Sequence, residues 1–383
     1  VTGFEIKGWC PGALRPMASG DGLVVRVRPH GGRLTQAQAA GLATTALEHG
    51  SGVIDLSARA NVQLRGVRPE AHLRLLDDLA ALGLLDPDIE TETRRNLVVT
   101  PLWHAGDGTE ALATAFEAAL AHATALPGKF GFAVDTGPAP VLGTTSSDIR
   151  LERVADGALI LRADGASLGR KVTAQTAPEA ALALARWFVE TGGVTQGRGR
   201  MAAHLARGAV LPEGHDTAPG APTTPPGPGA TGAGTLVGFE FGQLRAETLA
   251  LLAALGPLRV TPWRMLLIEG VTRAPDLDGL ITTTTDPRLN VTACTGAPGC
   301  PQGLQPTRAL ARDLVPHVPA GAHLHVSGCA KGCAHPGPAT ATLTATAEGF
   351  ALIRLGRAND TPTCPAMTAD EIRRRPETLF KAP

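Results

Sequence analysis

The sequence predicts an α+β protein made by internal duplication, and three observations carry that expectation. The chain opens with a β-α-β-β-α pattern. A stretch rich in Pro and Gly, residues 216–235, then divides it. After that stretch the opening pattern returns in shorter form, with its segments in the same order.

In the first part, residues 23–28 (LVVRVR) suit a strand. Thr35 followed by Gln38 reads as a capping box for a helix that stops at Gly50. GVIDL (52–56) and NVQLRGV (61–67) read as strands. Pro69 opens a second helix in which Leu73, Leu76, Leu79 and Leu82 recur at helical spacing up to Gly83. Residues 109–125 and 178–191 look like amphipathic helices, and IRLERV and ALILRA flank a hairpin turn at Ala155-Asp156-Gly157.

The stretch 216–235 is half Pro and Gly and carries no apolar periodicity, so a solvated linker is expected. Beyond it come a strand (TLVGFEF, 235–241) and a helix (RAETLALLAALG, 245–256). WRMLLIEGV (263–271) aligns without gaps on RANVQLRGV (59–67), and RLNVTAC (288–294) echoes RRNLVVT (94–100). Two unrelated α+β units are the alternative to a duplication. A last hairpin joins TATLTA to FALIRL through Glu348-Gly349.

Composition excludes several classes. The 35 basic and 35 acidic residues cancel, which argues against bulk nucleic acid or an anionic membrane as partner. No apolar run approaches the roughly 18 residues of a membrane span, and no secretory signal is visible, so a cytoplasmic protein is expected. Only five of the 35 basic residues are lysines, so each lysine carries more information than an arginine.

Of six cysteines, Cys10 and Cys364 stand alone. Cys294 and Cys300 are separated by five residues, and Cys329 and Cys333 by three. Two such loops can bring four thiolates to one site, for zinc or for an iron–sulfur cluster. The five-residue gap is loose for zinc and suits a larger object, and the Gly-rich loops TGAPG and AKG allow close backbone approach to it.

These two loops, in the second half of a duplicated chain, resemble the siroheme-containing sulfite and nitrite reductases. GWCPGALRPMASGDGLVVRVRP, ARANVQLRGV, LPGKFGFAVD (126–135) and HVSGCAKGCAHPGP (325–338) look closer to the precorrin-3B synthase branch, over roughly residues 7–355. The Pro/Gly-rich linker has no match in it. The resemblance implies two ferredoxin-like modules (1–87 and 236–287) and two catalytic α/β modules (88–215 and 288–383), related by a pseudo-twofold axis. It also implies that Cys294, Cys300, Cys329 and Cys333 hold a 4Fe-4S cluster.

By motif, Arg59 with Gln63, Arg95 and Lys129 match positions that would face a tetrapyrrole. Guanidinium groups suit its carboxylates, which they bind bidentately. Read singly, each could be an ordinary surface charge. Gly131 replaces a second lysine of the reductases, and their G-C-P-N-x-C loop is Gly328-Cys329-Ala330-Lys331-Gly332-Cys333 here. With the short length, these departures favour the synthase branch, where the tetrapyrrole is substrate.

The implied reaction is oxygen-dependent monooxygenation of precorrin-3A at C-20, with the ring A acetate closing a γ-lactone, in aerobic cobalamin biosynthesis. It would use dioxygen, the cluster, a mononuclear non-haem iron and an external donor, NAD(P)H through a reductase or a ferredoxin. For the second iron, His323 and His325 share one face of a predicted strand and His335 follows the cluster loop. They could equally be core or surface histidines. Cys10 is a further candidate near the tetrapyrrole, or a buried free thiol. A siroheme-dependent sulfite or nitrite reductase is the alternative, and a non-catalytic iron–sulfur carrier or zinc-binding protein the third reading.

Overall fold

Helix Gln36–His49 begins where the sequence predicts. Thr35 accepts from the Gln38 amide, and the Gln38 side chain accepts from the Thr35 amide. The helix presents Ala39, Leu42, Ala43 and Ala46 to the core and stops at Gly50. The computed structural model in which this is seen describes residues 10–137 and 139–381. Residues 1–9, where the predicted first module begins, lie outside that range, as do Pro138 and the last two residues.

Among the described residues the strands form four sheets. The first runs, in spatial order, Met17–Ser19, Gly22–Val27, Val62–Val67, Val53–Leu56 and Gln243–Arg245. The second runs Gly229–Thr231, Gly234–Phe239, Met265–Glu269, Leu258–Val260 and Arg33–Leu34. Each sheet takes its last strand from the other half of the chain. The predicted ferredoxin-like modules are therefore not separable units. They share one core in which helix Gln36–His49 packs on helix Ala246–Leu255. Leu42 and Leu249 are almost fully buried there, each contributing about 2 kcal/mol.

The catalytic modules repeat one topology. Leu97–Val99, Phe132–Asp135 and Ile149–Arg153 are parallel, and Leu159–Ala163 and Arg170–Val172 continue antiparallel. Val291–Ala293, Leu324–Ser327 and Ala339–Thr346 are likewise parallel, followed by antiparallel Gly349–Gly356 and Cys364–Met367. Each of these sheets has its own core.

The duplication reaches individual dihedral angles. Ala60 (φ 53°) and Arg264 (φ 59°), matched by the gapless alignment, both sit in the left-handed region. So do Gly66 (61°) and Gly270 (70°). Ala60 and Arg264 are rarely strained in this way by chance, since a Cβ disfavours positive φ.

The predicted linker differs from expectation. It lies along the first catalytic module: Thr217 pairs with Gly169, and the Thr223 amide donates to the Pro140 carbonyl at 2.8 Å. The second ferredoxin-like sheet already begins at Gly229, seven residues before the expected boundary. Low apolar content hid these backbone hydrogen bonds from the sequence.

Candidate active site

The four cysteines come together because of parallel pairing. Val291–Ala293 lies beside Leu324–Ser327 with Ala293 opposite Val326, so both chains leave the sheet at the same end. The segments that follow carry Cys294 and Cys329. Loops beyond the carboxyl ends of parallel strands are the usual ligand sites of such sheets. The Cys294 amide donates to Val326 O at 3.3 Å, and the Gly328 amide donates to Cys294 Sγ at 3.0 Å. Cys294, Cys300, Cys329 and Cys333 all line one cavity of about 500 Å³.

Four thiols around one cavity are a donor set that could hold an iron–sulfur cluster. Among the described residues, no three of these sulfurs lie within 4.8 Å of one another. Tetrahedral zinc, with bonds of about 2.3 Å, would draw them to roughly 3.8 Å. Small residues line the loops, and a Cβ on Gly328 would stand 3.3 Å from Cys294 Sγ. Burial pushes the Cys329 and Cys333 thiols up, and the neighbouring sulfurs add to it.

The first ferredoxin-like module holds the loop between Cys294 and Cys300 from the other side. The Gly20 amide and Arg65 Nη2 both donate to the Gly299 carbonyl, at 3.3 and 3.0 Å, as does the Ser19 hydroxyl. A Cβ on Gly20 would fall 1.8 Å from Pro298 O, so only glycine permits this approach.

A second cavity of about 620 Å³ adjoins the first. Arg26, Gln63, Lys129, Cys294, Thr295 and Cys333 belong to the walls of both, so the two form one cleft. Strand alternation explains part of the wall. Val25 and Val27 enter the core while Arg26, between them, turns to the cleft, and Gln63 does the same between Val62 and Leu64. The two are opposite one another, and Arg26 Nη2 donates to Gln63 Oε1 at 2.7 Å.

Three of the four residues expected to face a tetrapyrrole are in this cleft: Arg59, Gln63 and Lys129. Burial holds the Arg59 guanidinium below its ordinary value, and the nearby Arg200 and Arg26 push it the same way. Arg95 corrects the expectation. It lines neither cavity. It is buried, donates from Nε and Nη2 to the two Asp86 oxygens at 2.8 Å each, and donates to Arg28 O at 2.9 Å. A motif match identifies an arginine, but the carboxylate nine residues upstream decides where it points.

Cys10 is half-buried and lines the cleft. Burial pushes its thiol up, but Arg26, Arg59 and Lys129 outweigh this and hold it below the ordinary range.

The predicted histidines meet only as rings. His335 stacks 4.6 Å from His323 and 5.6 Å from His325. His323 Nε2 bonds to the Thr292 hydroxyl, and His335 Nε2 accompanies Pro338 O. Their nitrogens do not converge as a chelating set would. The expectation of a second iron at this place is therefore not met by the geometry. His325 is fully buried, and both its ring nitrogens lack a partner. Burial lowers it to about 3, with His335, His323 and Arg264 adding to the effect.

Four further cations of the larger cavity escaped the sequence reading: Arg26, Arg200, Arg264 and Arg308. Arg26 had a signal, a charge inside an otherwise apolar strand. Arg200 had none, since its place depends on the fully buried Asp148, whose carboxylate takes its Nε at 2.9 Å. Arg308 Nη2 donates to Asp55 at 3.2 Å.

Residues 15–82 match the family of nitrite/sulfite reductase ferredoxin-like half domains. Among solved structures, the chain is similar to the Mycobacterium tuberculosis NirA protein, with a TM-score of 0.65 over 93% of this chain and 79% of that one. Identity there is 19%, so this likeness speaks for the fold. Fold and comparison define the nitrite/sulfite reductase-like class. Within it, the sequence is 30% identical to a precorrin-3B synthase from a Sinorhizobium species, covering 93% of this chain and 84% of the relative. The chain belongs to the precorrin-3B synthase family. Among the described residues, no helix is long and apolar enough to cross a membrane.

Proposed function

We propose that the chain is an oxygen-dependent monooxygenase that converts precorrin-3A to precorrin-3B. One observation carries this reading. Arg26, Arg59, Lys129 and Arg264 face one cleft, and among the described residues none has a carboxylate within 4.0 Å. Arg26 donates to an amide oxygen, and Arg59 and Arg264 to backbone carbonyls. In a chain of zero formal charge, such a collection of unmatched cations suits a polyanionic ligand. A small anion would engage one or two of them. A tetrapyrrole with many carboxylates can engage all four.

In this reading the chain's residues bind and orient. Arg59 and Lys129 hold carboxylates on the side of the first catalytic module, and Arg26 does so from the floor, with Gln63 fixing its direction. Arg264 and Arg308 act from the second half of the chain. Cys294, Cys300, Cys329 and Cys333 would hold the 4Fe-4S cluster, which when bound supplies electrons one at a time. Dioxygen and two electrons from an external donor balance the reaction. One oxygen atom enters at C-20, and the other leaves as water with two protons. No role here depends on an iron at His323, His325 or His335.

The reading is tested by the visible spectrum of anaerobically purified protein. A broad shoulder in the blue, without siroheme bands, is expected. Sharp siroheme bands in the native protein would replace this reading with that of a sulfite or nitrite reductase, and a colourless zinc protein would remove both.

A further inference from the structure

Each of the two cluster loops is held by an arginine from a ferredoxin-like module. Arg65 holds the Gly299 carbonyl at 3.0 Å, and Arg264 holds the Ala334 carbonyl, next to Cys333, at 2.9 Å. The two differ in how their charge is met. Arg65 is paired with Asp21 at 2.8 Å and lies 3.7 Å from Asp55. Arg264 has no carboxylate within 4.0 Å among the described residues, although it is largely buried; the more distant Asp55 attracts it and Arg308 repels it. It also lines the larger cavity, with Cys294 and Cys333 in the same wall.

The backbone supports a demanding position. Arg264 is held at φ 59°, where a side chain is disfavoured, while the matching residue of the first half is Ala60. A Cβ on Gly242 would lie 2.7 Å from Arg264 Cβ, so the turn opposite is kept bare beneath it. Beyond the Ala334 carbonyl and the more distant Asp55, this partly buried charge lacks a close counter-ion. An anion in the cleft provides one.

We propose that Arg264 couples the two occupants of the cleft, its guanidinium being shared between the cluster loop and a carboxylate of the tetrapyrrole. This rests on the proposed function. When the carboxylate binds, the positive charge that Arg264 directs at the cluster is neutralised and the cluster becomes harder to reduce. Linkage makes the effect reciprocal: the oxidised protein binds the tetrapyrrole more tightly than the reduced protein.

The test uses the cluster-containing protein and uroporphyrin, a stable octacarboxylate, as probe. The cluster's midpoint potential is followed by EPR with and without saturating probe. In the unaltered protein, tenfold weaker binding to the reduced form is expected, which is a lowering of about 59 mV for a one-electron couple. Arg264→Gln should start from a lower potential and lose more than half of the probe-induced shift. Arg264→Lys, which keeps the charge, should retain the sign of the shift and guards against a folding defect. Arg59→Ala should weaken binding yet keep the shift at saturation. An unaltered protein that binds the probe with no shift, or an Arg264→Gln shift equal to the unaltered one, overturns the coupling alone. Failure of the unaltered protein to bind the probe at all overturns both the coupling and the function proposed above.

Discussion

Arg59 Nη2 donates to the backbone carbonyl of Lys129 at 3.0 Å. The bond ties the first ferredoxin-like sheet to the loop that enters the first catalytic sheet. It holds two cations, 70 positions apart in sequence, on one side of the cleft. Arg59→Ala removes one charge and loosens the support of the other. Tetrapyrrole affinity should fall about tenfold to a hundredfold, the worth of one charged hydrogen bond at about 1.5–3 kcal/mol. Iron content should not change. Equal affinity in a fluorescence titration with uroporphyrin would contradict the assignment.

Cys329 and Cys364 are both partly buried and belong to the same module, but only Cys329 lies on the cavity. Cys364 sits on an edge strand and packs on the core of the second catalytic sheet. Cys329→Ser should lose the cluster's absorbance and iron and lower the melting temperature, because a bound cluster ties two loops together. Cys364→Ser should keep both. Loss of iron from Cys364→Ser would show that the ligand set is wrong.

Arg95 belongs to the stability of the fold rather than to recognition. Its removal leaves the buried Asp86 without its counter-ion and takes from Glu117 a partner at 3.6 Å. Arg95→Met should therefore cost about 3–5 kcal/mol in denaturant unfolding. In the folded fraction, probe affinity should match that of the unaltered protein. A large affinity loss at unchanged stability would restore Arg95 to the cleft.

Asp135 gives the fold a pH dependence. Burial raises its carboxyl to about 6, against the amides of Leu142 and Val141 that donate to it. Between pH 4 and pH 6, roughly, the folded chain keeps this proton and the unfolded chain has lost it. The contribution is complete below the unfolded pKa and is lost as pH rises through 6. Asp135→Asn should thus raise stability by about 2 kcal/mol at pH 8, with the gain shrinking toward pH 4. Unfolding curves at the two pH values check this, and a gain that grows on acidification would contradict it.

Much of this was legible in local pattern. The Thr35–Gln38 capping box, the hairpins at Gly157 and Gly349 and the repeat of residues 59–67 at 263–271 all depend on near neighbours, and near neighbours are what a sequence displays. That the four cysteines would gather at one cavity was legible, because four thiols in two short loops have few other uses. What escaped depends on distant partners. The exchange of Arg33–Leu34 for Gln243–Arg245 between sheets is set by tertiary pairing. The direction of Arg95 is set by Asp86, and that of Arg200 by Asp148. Arginine is also common in this composition, so Arg264 carried no signal until its strained backbone and unmatched charge were seen in place.

The central claim is that the cleft receives precorrin-3A as a substrate to be oxygenated. Anaerobic protein with its cluster intact should be incubated with precorrin-3A and a reductant, and dioxygen then admitted. Mass analysis should find the substrate heavier by one oxygen atom, with label when the dioxygen is isotopically enriched. Recovery of unaltered precorrin-3A from a protein that binds it and keeps its cluster would contradict the account.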